Sequence, residues 1–365
     1  METPHKSSLL RRLVRLGLRT LMWVALVGTS VWSTAAIAYS NLPAAWLRGL
    51  ASGIYALALV VVLIRVRPRW LARLVCFGAF GVVLAWFLLI PPSNERDWQP
   101  DVAALPYAEV SDQRVTIHNI RNCDYRTETD FTVLHYDKSF DLAKLQSVDF
   151  FVVYWGSPMI AHTMLSFGFD GGDYVCFSIE TRKEKGESYS AIKGFFRQFE
   201  LTYVIGDERD LVRLRTNFRG ETVYLYRLNT DVPVTRLVFL DYLKQVNRLK
   251  ARPEWYNAIT ANCTTLIRGH TKPYVKNARF DWRILLNGRI DEMAYERKSL
   301  DQSQPFEELK ARSLINDRAK AADQDSAFSK RIRERLPGIA VTEIRAYSPG
   351  EIHLQRPDSK PALLP

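Results

Sequence analysis

Acidic residues are all but missing from the start of this chain. Glu2 is the only one among the first 90 positions, where ten Lys and Arg residues also lie. Those positions therefore supply nine of the overall +11 charge, and the other 275 residues carry 40 basic and 38 acidic groups. No basic face is left over for phosphate backbones, so nucleic acid is excluded as a partner. Cysteine is scarce, at four in 365 residues. There is no CxxC pair, no HExxH, no GxxxxGK[ST] and no glycine-rich nucleotide loop, so no metal site and no cofactor is expected.

What the first 90 residues do have is apolar length. Leu21 to Tyr39, Gly49 to Ile64 and Leu74 to Ile90 run 19, 16 and 17 residues without a charge. A helical span needs about 20 apolar residues, with ~17 as the low end, so the middle one suffices if Arg48 and Arg65 snorkel. Five basic residues precede the first stretch, and Arg65, Arg67, Arg69 and Arg73 separate the second from the third. Only Arg48 lies between the first and second. The positive-inside rule then puts the N-terminus and the second loop in the cytoplasm and residue 91 onward outside, in the periplasm of a bacterial inner-membrane protein. Ala35-Ala36-Ile37-Ala38 resembles a leader-peptidase site, and cleavage there would leave two spans, which return the domain to the same side as the new N-terminus. Three retained spans are the expectation.

The rest reads as α+β. Residues 91–108, with Pro91, Pro92, Ser93 and Asn94, are expected to be a linker, and residues 109–293 a globular domain. Strands are predicted at Val115–Ile120, Phe131–Tyr136, Val148–Trp155, Ala161–Phe169, Tyr174–Thr181 and Val223–Leu228. A short helix or turn falls at Phe140–Leu145. Asp170-Gly171-Gly172-Asp173 marks a hairpin. Leu237, Leu240, Leu243, Val246 and Leu249 give Val234–Lys250 a helical period. Residues 294–365 are polar, suggesting exposed helices and then a disordered tail from about Ser348.

Chemistry concentrates at Cys263. Asn262 is a good N-cap, which places Cys263 in the first turn of a helix. There the free N–H groups and the helix dipole favour a thiolate and could receive an oxyanion, with Asn262 as cap or oxyanion donor. A small cysteine packing a helix start is the bland alternative. Cys176 alternates within Tyr174–Ser178 as a core strand residue; Cys123 could pair with it, and nothing in the sequence decides this. His162, at the edge of an apolar strand, is the candidate base. His118 and His135 sit in strands, and His270 falls where a histidine caps helix carbonyls. With a three-residue loop at the hairpin, paired residue numbers sum to 342, setting His162 opposite Glu180 as the orienting acid. Ser178 and Arg182 are candidates for a polar cleft beside them. Glu208, Arg209 and Asp210 read either as part of such a cleft or as a structural ion-pair network.

The order of His162 on a strand, a polar residue on the next, and Asn262-Cys263 on a later helix resembles the circularly permuted papain-like group. That group includes NlpC-type peptidases and lecithin:retinol acyltransferase-like enzymes. Four segments in order resemble more closely the N-terminal periplasmic domain of Lnb-type lipoprotein N-acyltransferases. They are Ala161-His162 with Leu165–Phe169, Ser178–Arg182, Gly206–Leu211, and Asn262-Cys263-Thr264-Thr265. The likeness covers about residues 120–270. It implies that Cys263 takes an acyl chain from a phospholipid and passes it to the amino terminus of a lipoprotein. In the acyltransferases of that name further membrane helices follow the domain, whereas here they precede it. A cysteine peptidase or amidase acting on cell-wall peptides, and a non-catalytic binding module of the same fold, are the alternatives.

The orientation has a direct test. Reporter enzymes that work only in an exported, oxidising compartment should be active when fused after residue 95 and silent between Arg65 and Arg73. The opposite pattern would overturn the assignment.

Overall fold

A computed structural model describes residues 4–274 and 279–339, with side chains from residue 10 onward. The polar tail beyond 339 lies outside the described residues. The chain is α+β and divides into two units: 1–92 together with 190–198, and 93–189 together with the residues from 199 onward.

The first unit holds helices α1 (Pro4–Ala38), α2 (Ala45–Arg65) and α3 (Arg69–Leu89). All three are long and apolar enough to cross a membrane. At 35 residues, α1 outruns a hydrocarbon core, and its basic first turns carry the excess. Polar glue inside the bundle is sparse, as lipid surroundings demand: the Tyr55 hydroxyl donates to Ser33 Oγ at 3.0 Å. Trp32 packs edge-on against Phe80 and Phe87. The inserted stretch 190–198 stacks Phe196 on Tyr39, and Arg197 donates to the carbonyls of Phe87, Leu88 and Ile90. The last carbonyls of a helix have no intrahelical partner, and one guanidinium satisfies two of those of α3 and that of its C-cap, Ile90.

The second unit starts earlier than expected. Residues 93–106 are no linker: Trp98 and Val102 are buried, and α4 (Pro100–Ala103) leads into β1 (Tyr107–Ser111). Then come β2 (Arg114–Arg121), β3 (Asp124–Tyr125), β4 (Phe131–Thr132), β5 (His135–Asp141), β6 (Leu145–Tyr154), β7 (Ala161–Phe169), β8 (Asp173–Arg182) and β9 (Glu200–Gly206). Helix α5 (Glu208–Arg213) and β10 (Thr222–Arg227) precede α6 (Val232–Ala251) and α7 (Cys263–Thr271). The end of the described chain forms α8 (Ile290–Glu296), α9 (Phe306–Ser313), α10 (Asn316–Ala321) and α11 (Phe328–Arg331). The predicted strand at Phe131–Tyr136 is broken into β4 and β5, and β9 has no predicted counterpart.

The main sheet runs β1-β2-β9-β8-β7-β6-β10, with β5 on β2. Among the described residues only β2 and β9 pair in parallel. Side chains of β7 alternate between two cores. Leu165, Phe167 and Phe169 join Phe239, Tyr242 and Leu243 of α6 on one face. Met164, with Phe151, Val153 and Cys176, meets Leu211 and Val212 of α5 and Ile315, Ala319, Phe328 and Ile332 from the C-terminal helices. The polar segment beyond 294 thus contributes its apolar side chains to a core and is not an exposed appendage.

That second face buries charge. Arg333 donates two hydrogen bonds to Glu208, at 2.6 and 2.7 Å, and one to Asp149 at 2.8 Å, and lies over the Tyr174 ring. Both carboxylates are fully buried. Arg227 also bonds Asp149, Ser166 Oγ donates to Glu208, and Arg121 forks onto Asp210. Of the two readings of the 208–210 cluster, the geometry is that of the structural ion-pair network. Removing one partner of a buried pair costs about 3–5 kcal/mol, because the other is left charged and dry. Arg333→Ala should therefore destabilise the domain by about that amount in denaturant titration of the full-length protein. A shift under ~1 kcal/mol would show the network to be expendable.

Candidate active site

The hairpin between β7 and β8 turns through Gly171 and Gly172 at φ +94° and +86°, backbone that glycine alone adopts freely. Its pairs sum to 342, from Phe169↔Asp173 to Met164↔Ser178. There the ladder stops. Strand β7 continues against β6 as far as Ala161, and β8 continues against β9 as far as Arg182, so the two backbones part around His162 and Glu180. Helix α7 sets its N-terminus at this gap.

The start of α7 is a capping box. Asn262 Oδ1 accepts from the Thr265 N–H at 2.9 Å, and Thr265 Oγ1 accepts from the Asn262 N–H at 3.0 Å. Asn262 Nδ2 is taken up by the Ala258 carbonyl. The Asn262 oxygen thus serves as the helix cap, and one amide hydrogen is taken by the loop. Cys263 follows as the first helical residue, 9% exposed.

Facing it is His162, itself 8% exposed. Its Nε2 lies 2.7 Å from Ser178 Oγ and 3.2 Å from Glu180 Oε1, which leaves Nδ1 for the sulfur. Ser178 donates to the same Glu180 oxygen at 2.6 Å. Arg215, in the turn of π-helix Leu214–Phe218, reaches Glu180 at 2.7 Å and Glu221 at 3.1 Å. The result is an alternating line of charge: thiolate, imidazolium, carboxylate, guanidinium, carboxylate.

Burial pushes the Cys263 thiol up, but the charge of His162, with hydrogen bonds from His162 and from Thr163, outweighs it and brings the group down to about 7. Burial pushes His162 down; the Glu180 charge reverses this against the opposing Arg215, and Cys263 adds to the rise, to about 9. Glu180 is held well below the carboxylate range: burial opposes, and His162, Arg215 and Ser178 prevail. Between about pH 7 and 9 the ion pair is the favoured state of the dyad.

The remaining candidates fall elsewhere. Arg182 is not in the cleft: it bonds the Val102 and Ala103 carbonyls and Asn94 Oδ1 and stacks on Trp98, fastening 94–103 to the sheet. Cys123 and Cys176 are free and buried, so the possible disulfide is absent, and burial pushes both thiols up. His270 does not cap carbonyls; it pairs with Asp241 and Tyr203, both at 2.7 Å. No metal-binding group of His, Cys, Asp and Glu occurs among the described residues. Sequence reasoning missed Arg215, Thr163 and Asn287. Arg215 is 35 residues from Glu180 with no motif around it. The Asn287-Gly288 pair was the one available sign of a tight turn.

Residues 133–288 match the family model of the Lnb N-terminal periplasmic domain. This segment is an Lnb-type domain. The match takes in His162, Ser178, Glu180, Arg215, Cys263 and Asn287, and leaves out β1, β2 and the helices from α8 onward. No curated protein and no solved structure matches the chain. With three membrane-capable helices and an Lnb-type domain, the chain is a membrane-anchored protein with a periplasmic domain.

The charge line has a chemical signature. Iodoacetamide should alkylate Cys263 with an inflection near pH 7, while Cys123 and Cys176 stay inert at that pH. In His162→Ala the inflection should climb above that of an ordinary thiol, since burial then acts unopposed by the imidazolium. Peptide mapping reads both, and an unchanged inflection in the variant would rule out the ion pair.

Proposed function

We propose that this protein is a thiol-dependent acyltransferase at the outer face of the inner membrane, taking acyl chains from phospholipid and passing them to the amino terminus of a lipoprotein. The observation that carries this reading is the Cys263–His162–Glu180 line, with Cys263 and His162 buried and Glu180 half-buried, at a helix N-terminus of an Lnb-type domain. In the first half-reaction the Cys263 thiolate attacks an ester carbonyl of the phospholipid, and the C–O bond breaks. His162 gives its proton to the departing lysophospholipid alkoxide. A thioester remains on Cys263, and His162 is now neutral. In the second half-reaction the acceptor amine attacks the thioester and His162 takes the amine proton. The amide forms, and the thiolate–imidazolium pair is restored. Glu180, through Nε2, keeps the imidazole turned toward sulfur in both halves.

The surroundings of the dyad suit a lipid. Gly288 N–H bonds the Met159 carbonyl, which brings Leu285 and Leu286 beside Met159 and Ile160, two residues short of His162. All four are exposed apolar side chains. A cell-wall peptide would call for polar groups at that edge; acyl chains call for this.

Mass spectrometry after incubating the full-length protein with phospholipid should find an acyl adduct on Cys263, discharged by a lipopeptide bearing a free amino terminus. Peptide cleavage without an adduct would favour the amidase reading, and neither outcome the binding module. His162→Ala should lower turnover by ~10²–10⁴, and Glu180→Gln less. The Cys263→Ala/His162→Ala double variant should be scarcely worse than Cys263→Ala alone, since the two act as one unit.

A further inference from the structure

On the side of Cys263 away from His162, a second polar line reaches the sulfur. Thr163, Thr264 and Asn287 are all buried. Asn287 makes three hydrogen bonds. Its Oδ1 accepts from the Ala161 N–H at 2.8 Å, and its Nδ2 donates to the Ala161 carbonyl at 2.6 Å and to Thr264 Oγ1 at 2.5 Å. Turning the amide over would set oxygen against the Ala161 carbonyl and nitrogen against its N–H, so the orientation is fixed by the backbone. Gly288 permits this approach: a Cβ there would stand 2.0 Å from the Pro158 carbonyl oxygen.

A fixed donor has consequences down the line. Thr264 Oγ1 accepts from Asn287, so its own hydrogen must go elsewhere. Two acceptors are in range, Thr163 Oγ1 at 3.3 Å and Cys263 Sγ at 3.8 Å. If it goes to the sulfur, the donor is direct. If it goes to Thr163, the Thr163 hydroxyl is left to donate to the sulfur, and Thr163 also offers its backbone N–H there. Either way a hydroxyl hydrogen ends on Sγ.

We propose that Asn287 is a positioning residue which, through Thr264 and Thr163, aims a hydroxyl hydrogen at Cys263 Sγ and so holds the thiolate in the acyl-transfer site. The inference rests on the reading of Cys263 as the reacting group. Removing the amide leaves the Thr264 hydroxyl free to rotate, and a hydrogen bond to the anion is lost.

The test is the pH profile of Cys263 alkylation by iodoacetamide in the full-length protein. Asn287→Ala and Thr264→Val should each move the inflection from near pH 7 to about pH 8, giving ~10-fold slower labelling at pH 6. Thr264→Ser, which keeps the hydroxyl, should retain the wild-type inflection. A merely structural role would scale labelling alike at every pH. Should Asn287→Ala fail to fold, Thr264→Val, which differs by one hydroxyl, decides. An unmoved inflection in folded Thr264→Val overturns the proposal. Alkylation needs no acyl donor, so a missing acyl adduct would count against acyl transfer and leave this result standing.

Discussion

A buried thiolate exists only where positive charge and hydrogen-bond donors outweigh the loss of water, and the site is organised around meeting that condition. His162 supplies the charge, but an imidazolium in the same dry environment needs its own anion. Glu180 provides it at 3.2 Å, and Arg215 at 2.7 Å keeps Glu180 ionised. Glu221 then balances Arg215. Each group is stable because of its neighbours, so the line behaves as one unit and not as five separate ionisable residues.

This arrangement depends on where the β7–β8 ladder ends. Had the pairing continued past Met164↔Ser178, the edge of β7 around Thr163 would be engaged with β8. Because the strands part while each remains held by its other neighbour, the gap is rigid. The capping box sets the sulfur at this opening, and Asn287 ties the first residue of β7 to the first turn of the cysteine helix. Cys263 and His162 come from segments about a hundred residues apart, yet are held by short bonds to a common frame.

The face of the sheet that carries His162, Ser178 and Glu180 also holds a separate structural charge network. That network is closed on itself, Arg333 with Glu208 and Asp149, and Arg121 with Asp210. Glu180 and Glu208 look alike as acidic residues near apolar strands. Glu180 differs in touching a histidine at the strand gap, whereas Glu208 lies under helix α11 and its following turn. Partners, and not residue type, separate the two carboxylates.

By itself the sequence determined what depends on neighbouring residues or on a short period. Apolar length without charge marked the three helices, Asp-Gly-Gly-Asp set the hairpin register, and Asn262 before Cys263 specified the helix start. The motif order pointed to the Lnb-type domain that the family match bears out. Only the tertiary structure decided what depends on contacts between distant segments. It brought Arg215 to Glu180 and Asn287 to Thr264, turned Arg182 toward residues 94–103, and buried the apolar side chains of the polar segment after 294 in a core. The physical reason is range: caps, turns and helical periods act over a few residues and leave a local signature. A buried charge chooses its partner through space, and no pattern along the chain records the choice.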